Sequence, residues 1–230
     1  FAFRHNKEEG LNLTQEQFTY FIQNSDLSVT NQEGWSPLIF AFRHNKEEGL
    51  NLTQEQLTYL IENTDQKTIQ KKSVNWGSDS LMYFLYFDNN IFLSDENFNL
   101  LLSKSNLSSK NANSEGQNWI TLYLKADKKK RLPSNDYILS KIFEESIKYQ
   151  KLLYYVIEQF FQRNEERLFC LKEKHFDFLI SKLDFEFKKS DALLVRYINN
   201  KSEQKLELSE SSLTKLISNI SYKNEECLNL

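Results

Sequence analysis

The nucleophiles and metal-ligating side chains of this 230-residue chain are few. They are Cys170 and Cys227, and the histidines His5, His44 and His175. Cys170 and His175 stand five positions apart, and Cys170 falls just before an expected helix start, where the free N–H groups favour a thiolate. Nucleophilic catalysis would also need an Asn or Asp to orient the imidazole, and none is placed to do so. The simpler reading makes Cys170 a small loop residue and His175 a solvent-facing residue of a first helical turn. A metal site needs three or four converging ligands, whereas the three histidines are scattered along the chain. Five glycines do not form a phosphate-cradling loop. The basic run Lys128-Lys129-Lys130-Arg131 reads as a solvated loop, with an anionic partner surface as the minor alternative. No catalytic residue, metal-ligand set or cofactor is therefore expected. Trp35, Trp76 and Trp119 remain. They are large, rigid and able to hydrogen bond, as residues that anchor protein interfaces are.

The elements that must position them follow from composition and pattern. Hydrophobic residues make up 40% of the chain and aromatic residues 14%, enough for a sizeable core. Only 5 Gly and 2 Pro are present, too few for the turns of a β-sandwich and suited to helices. The net charge of −3 sets up no global field for nucleic acid or a membrane surface. No apolar run approaches the length of a membrane span, and no signal peptide is visible. Two cysteines in a chain of this size suit a reducing compartment, so a cytoplasmic location is expected.

The strongest signal is a verbatim copy. FAFRHNKEEGLNLTQEQ spans Phe1–Gln17 and again Phe40–Gln56. A stack of equivalent units tolerates such a copy, because each unit meets the same kind of neighbour. In the second copy Leu38, Phe40, Ala41 and Phe42 form one apolar block. After a loop, Leu57, Leu60 and Ile61 have the i, i+3, i+4 spacing of a helix face. The two blocks recur at Leu81/Tyr83/Leu85 with Phe98/Leu101/Leu102, and at Ile120/Leu122/Leu124 with Leu139/Ile142/Phe143. They recur again at Ile157/Phe160/Phe161 with Phe176/Leu179/Ile180, and at Leu193/Val195/Tyr197 with Leu213/Leu216/Ile217. Six helix-turn-helix units follow, at spacings of 36–43 residues. The expected helices of the second unit are Pro37–His44 and Gln54–Asn63.

Polar residues punctuate the same register. Asn6, Asn45, Asp88, Asp127, Asn164 and Asn200 follow the first helices, where a left-handed C-terminal cap is expected. Thr14, Thr53, Ser94, Ser134 and Ser209 precede the second helices as N-caps, with Gln17 and Gln56 completing capping boxes. The fifth unit has Lys172 at the cap position, which breaks the rule.

The link residues Gly34, Trp35, Ser36, Pro37, Leu38 and Ala41 resemble the ankyrin repeat, in which Gly-x-Ser/Thr-Pro-Leu opens the first helix and an Ala lies within it. Gly116 and Ile120 echo this in the fourth unit. The period exceeds the usual thirty-three residues through the loop NKEEGLNLT. From Phe143 to Tyr155 no Gly, Pro or Asn occurs, so a projecting finger is not expected there and a nearly continuous helix is. The expected fold is all-α, an ankyrin-like solenoid of about six repeats with fingers that shorten or degenerate toward the C-terminus. Residues 1–230 form one repeat domain, with units at 1–33, 34–76, 77–115, 116–150, 151–188 and 189–230. Phe1 stands in mid-pattern, which predicts a fragment of a longer chain. HEAT or tetratricopeptide stacking is the alternative fold.

The resemblance implies a protein partner bound on a concave repeat surface. It places Trp35 exposed at a finger tip, Trp76 and Trp119 in the next two links, and Arg43, His44 and Phe87 at first-helix ends. These six are the expected partner-binding residues. Packing of Trp76 and Trp119 between fingers is the competing reading. An excess of Asn, Lys, Ile, Phe and Tyr suits an AT-rich genome, and ankyrin-bearing effectors of intracellular bacteria are similar in kind. A host-directed effector, working in a host cytosol, is thus one alternative. The substrate-recognition arm of a larger enzyme and a structural spacer are the others.

Overall fold

Thr53 illustrates how the helices begin. Its backbone is extended (φ −73°, ψ 162°), as is that of the equivalent Thr14 (φ −71°, ψ 164°), and its Oγ1 accepts from Gln56 N at 3.2 Å while Gln56 Oε1 accepts from Thr53 N at 2.9 Å. The reciprocal bonds between Thr14 and Gln17 are the same, so both expected capping boxes form. Ser94 and Ser209 cap in the expected way through Asn97 N and Ser212 N.

The computed structural model describes residues 12–45, 50–87, 91–126, 132–163, 171–185, 190–203 and 206–219. Among them are twelve helices and no strand. These are α1 (Gln15–Gln23), α2 (Pro37–His44), α3 (Gln54–Asn63), α4 (Gln66–Ile69), α5 (Ser80–Tyr86), α6 (Asp95–Lys104), α7 (Trp119–Lys125), α8 (Asp136–Ser146), α9 (Gln150–Arg163), α10 (Glu173–Ser181), α11 (Ser190–Asn200) and α12 (Glu210–Ser218). The expected bounds of α2 and α3 are met residue for residue. The short α4, capped by Asp65 accepting from Thr68 N at 2.7 Å, has no counterpart in the sequence reading. The first helix of the first unit lies outside the described residues, as do Asn6, Asp88, Asp127, Asn164, Cys170, Cys227 and Lys128–Arg131.

The chain divides into two compact units, Phe1–Ile138 and Leu139–Leu230. In the first, α2 packs on α5 and α5 on α7, while α1 packs on α3 and α3 on α6. Each helix thus meets its own equivalent in the next pair. Leu38, Phe42, Leu57, Leu60, Phe84 and Phe98 are fully buried between them, and the rings of Phe42, Phe84 and Phe98 follow one another at 5.2 and 5.8 Å. Polar side chains bridge the same steps. Gln15 Nε2 donates to Leu50 O at 3.1 Å, Gln56 Nε2 to Gln15 O at 3.2 Å, and Asn97 Nδ2 to Gln54 Oε1 at 3.1 Å. Lys104 Nζ donates to Ile61 O and Thr64 O, closing the carbonyl end of α3.

In the second unit α9 packs on α11 and α10 on α12, and α9 also packs on α10 and α11 on α12. Phe161 joins Phe176 at 5.2 Å and Tyr197 at 5.6 Å. Asp177 Oδ1 accepts from Ser209 Oγ at 2.8 Å and Ser212 Oγ at 2.6 Å, joining α10 to α12. Those bonds hold the Asp177 carboxyl below the usual aspartate range, against the upward push of partial burial.

Four local expectations are corrected. Asn45 is not left-handed: it stays helical (φ −54°, ψ −44°) and stops α2 by accepting from Leu50 N on its carbonyl and from Leu52 N on its side chain. The left-handed residue is Asn51, at φ 48°. Asn200 likewise closes α11 from within, its side chain donating to Arg196 O. Asn135, not Ser134, caps α8, accepting from Ile138 N at 3.1 Å. The stretch Phe143–Tyr155 is not continuous: α8 ends at Ser146 and α9 begins at Gln150, with Ser146 Oγ folded back on Phe143 O and Tyr149 N donating to Ser146 O. At Lys172 the missing cap hydroxyl is answered from the other side. His175 Nδ1 accepts from Lys172 N at 3.1 Å, the reciprocal half of a capping box.

Candidate partner-binding surface

Three links between helix pairs form tight, matched turns. In the first, Asn31 Oδ1 accepts from Glu33 N at 3.0 Å and Trp35 N at 2.9 Å, and Asn31 N donates to Trp35 O. In the third, Asn113 Oδ1 accepts from Glu115 N and Gln117 N at 3.0 and 2.9 Å, and Asn113 N donates to Gln117 O. The second turn closes through Ser73 N and Ser78 O. Gly34 must take a positive φ of 80°, where a side chain is strained, and a Cβ there would lie 3.0 Å from Lys72 O. Adjacent turns are tied together: Val74 N donates to Glu33 O and Ser114 N to Trp76 O, each at 2.9 Å. Ser36, Asp79 and Asn118 then cap α2, α5 and α7. Asp79 is fully buried, and burial pushes its carboxyl up against the hydrogen bonds from Met82 N and Asn111.

These turns deliver five of the six expected residues to one place. Trp35 packs on Ile39 and Tyr83 with only 7% of its surface exposed. Arg43 lies over the Trp35 ring at 4.5 Å and the Phe87 ring at 5.3 Å. His44 tilts against Trp35 at 6.3 Å and stacks on Phe40 at 5.8 Å. Phe87 stacks on Tyr83 at 5.4 Å and meets the edge of half-buried Trp76 at 6.0 Å.

The expected exposure of Trp35 is overturned, while for Trp119 the competing reading of a packed ring holds. Trp35 is not an exposed finger tip, because the ring turns inward onto Tyr83 of the next helix pair at 6.0 Å. Trp119 is fully buried at the start of α7, its indole N–H donating to Leu107 O at 2.9 Å, and takes no part in the cluster. The sequence reading missed Tyr83 and Tyr86 as site residues. Tyr83 carries the stacking, with its hydroxyl donating to Ser73 Oγ at 3.1 Å and held above its usual pKa by burial. Tyr86 is 39% exposed and packs on both Trp76 and Phe87. A run of apolar residues, LMYFLYF, was the only signal available for them.

Among the described residues no group of three or more His, Cys, Asp or Glu side chains is placed to hold a metal ion. No described helix is long and apolar enough to cross a membrane. No protein-family model, curated protein or solved structure matches the chain.

Proposed function

We propose that the chain is an ankyrin-like solenoid of helix-turn-helix repeats that binds a protein partner on the face made by its turns and first-helix ends. The solenoid reading is supported by the pairing of each helix with its equivalent one repeat on, and by bridging bonds that join Gln15 to Leu50 and Gln56 to Gln15. The matched turns at Asn31–Trp35 and Asn113–Gln117, each with a positive-φ glycine, support the ankyrin-like assignment.

One observation carries the binding reading. Trp76, Tyr86, Phe87 and Arg43 form a partly exposed aromatic and cationic cluster at the junction of two turns and two first-helix ends. Val74, 74% exposed, stands in the same turn as Trp76. Rigid aromatic side chains lose little entropy on binding and bury large areas, which is why few such residues dominate interface energetics.

The test is a hydrogen-exchange footprint of a purified partner complex. Binding to this face predicts protection of Ser73–Ser78, Tyr86, Phe87 and Asn113–Gln117. Protection confined to α1, α3 and α6 refutes the face, and a chain that forms no complex with any protein is a spacer.

A further inference from the structure

Among the described residues Arg43 is a cation without an anion. Among the described residues its guanidinium has no ion pair or hydrogen bond, and Nη1 is shut off from solvent with no acceptor. Its contacts are two aromatic faces, Trp35 of the first link at 4.5 Å and Phe87 at the end of α5 at 5.3 Å. Lysine in this place would be a point charge that rotates freely. A guanidinium held between two rings is restrained in orientation, and its planar fork of N–H donors pairs with a planar two-oxygen acceptor.

Partial removal from water adds to this. A half-buried charge has already lost part of its hydration, so an incoming anion meets a less screened cation than on an open surface. The aromatic surface continues from there: Phe87, which the guanidinium contacts, also packs on Trp76 and Tyr86. Among the described carboxylates, Glu33 makes no ion pair with Arg43 and Glu115 accepts from the Tyr86 hydroxyl. From this geometry we infer that Arg43 is the anchor for a carboxylate, supplied by an Asp or Glu that sits beside an apolar residue in a segment of the protein partner. The aromatic cluster takes the apolar residue and the guanidinium takes the acid. This inference rests on the protein-binding reading.

The experiment selects a displayed random peptide library on the 230-residue chain. The enriched peptides are then titrated by calorimetry against wild type, Arg43→Gln and Arg43→Lys. An acid shared by the enriched peptides is expected. Changing it to its amide should weaken binding to wild type about 10- to 100-fold, the range of a charge-assisted hydrogen-bonded pair, and should change binding to Arg43→Gln little. Arg43→Lys should fall between. Circular dichroism checks the fold of both variants, and the peptide-side substitution needs no variant of the chain. Enriched peptides with no shared acid, or an amide penalty that persists in Arg43→Gln, overturn the anchor while leaving protein binding intact. Inorganic phosphate displacing the peptides more strongly than acetate at equal ionic strength overturns the carboxylate assignment. No enrichment on any of the three chains refutes the binding reading itself, and the anchor falls with it.

Discussion

Replacing Gly34 with alanine tests how closely the turns are fitted together. Two separate costs apply. Alanine at φ 80° enters the left-handed half of backbone space, at about 1–2 kcal/mol. The new Cβ would also lie 3.0 Å from the carbonyl oxygen of Lys72 and 3.4 Å from Ser73 Cα, and both are backbone atoms that cannot rotate away. Moving them disturbs the Val74 N to Glu33 O bond, so overpacking adds roughly 1–3 kcal/mol. Gly116 provides the control. Its φ is 73°, but a Cβ there meets nothing within 4 Å. Gly116→Ala should therefore cost only the backbone part, about 1–2 kcal/mol. Urea unfolding followed by circular dichroism and tryptophan fluorescence gives both values. Gly34→Ala is expected to be the more destabilising by roughly 1–3 kcal/mol, through the added contact. Equal losses for the two variants would mean that the turns do not press on one another, and the tight lateral fit described for them would be wrong.

Other perturbations separate the remaining contributions. Leu60→Ala, at a fully buried position of α3, should cost about 2–5 kcal/mol, and Thr53→Ala at the cap of the same helix only about 0.5–2 kcal/mol, both read from urea midpoints. Trp35→Ala should cost about 3–5 kcal/mol, since the ring is core; an unchanged melting curve would contradict its burial. Asp177 has its pKa lowered in the folded state, so its contribution is complete above the ordinary aspartate range, near pH 4, and is lost as pH falls through the lowered value. The gap in urea midpoint between wild type and Asp177→Asn should be full at pH 7 and narrow progressively below about pH 4.

The helices were legible because their signals are local. Apolar spacing at Leu57, Leu60 and Ile61 and hydroxyls at Thr53 and Ser94 depend on residues within one turn, and they hold. What sequence could not supply was the direction of a side chain that has two neighbours to choose from. Trp35 follows a glycine in a turn, which reads as a tip, yet Tyr83 lies 48 positions further on and offers an aromatic surface for it. The same holds for Trp119, whose indole N–H finds the Leu107 carbonyl across the link. Asn45 illustrates a subtler failure: asparagine does tolerate the left-handed cap, but here its side chain is used to hold the loop at Leu52, and the left-handed turn passes to Asn51. The gathering of Trp35, Arg43, His44, Trp76 and Phe87 was anticipated only as a list of surface positions. That they touch follows from the pairing of α2 with α5.

The verbatim copy has a consequence for heredity. Because Phe1–Gln17 and Phe40–Gln56 are the same, removal of 39 residues between equivalent points leaves a junction whose local sequence is unchanged. Gln54 would keep its bonds to Ser94 and Asn97, and Lys104 its hold on α3, since each reaches only the next helix pair. Unequal crossing-over within the gene can thus shorten or lengthen the chain by one whole repeat with no change of sequence at the junction. Length can change in this way, but the Arg43 cluster bears the cost: any such deletion takes Phe18–Ile39 with it and so removes Trp35, one of the two rings that the guanidinium contacts.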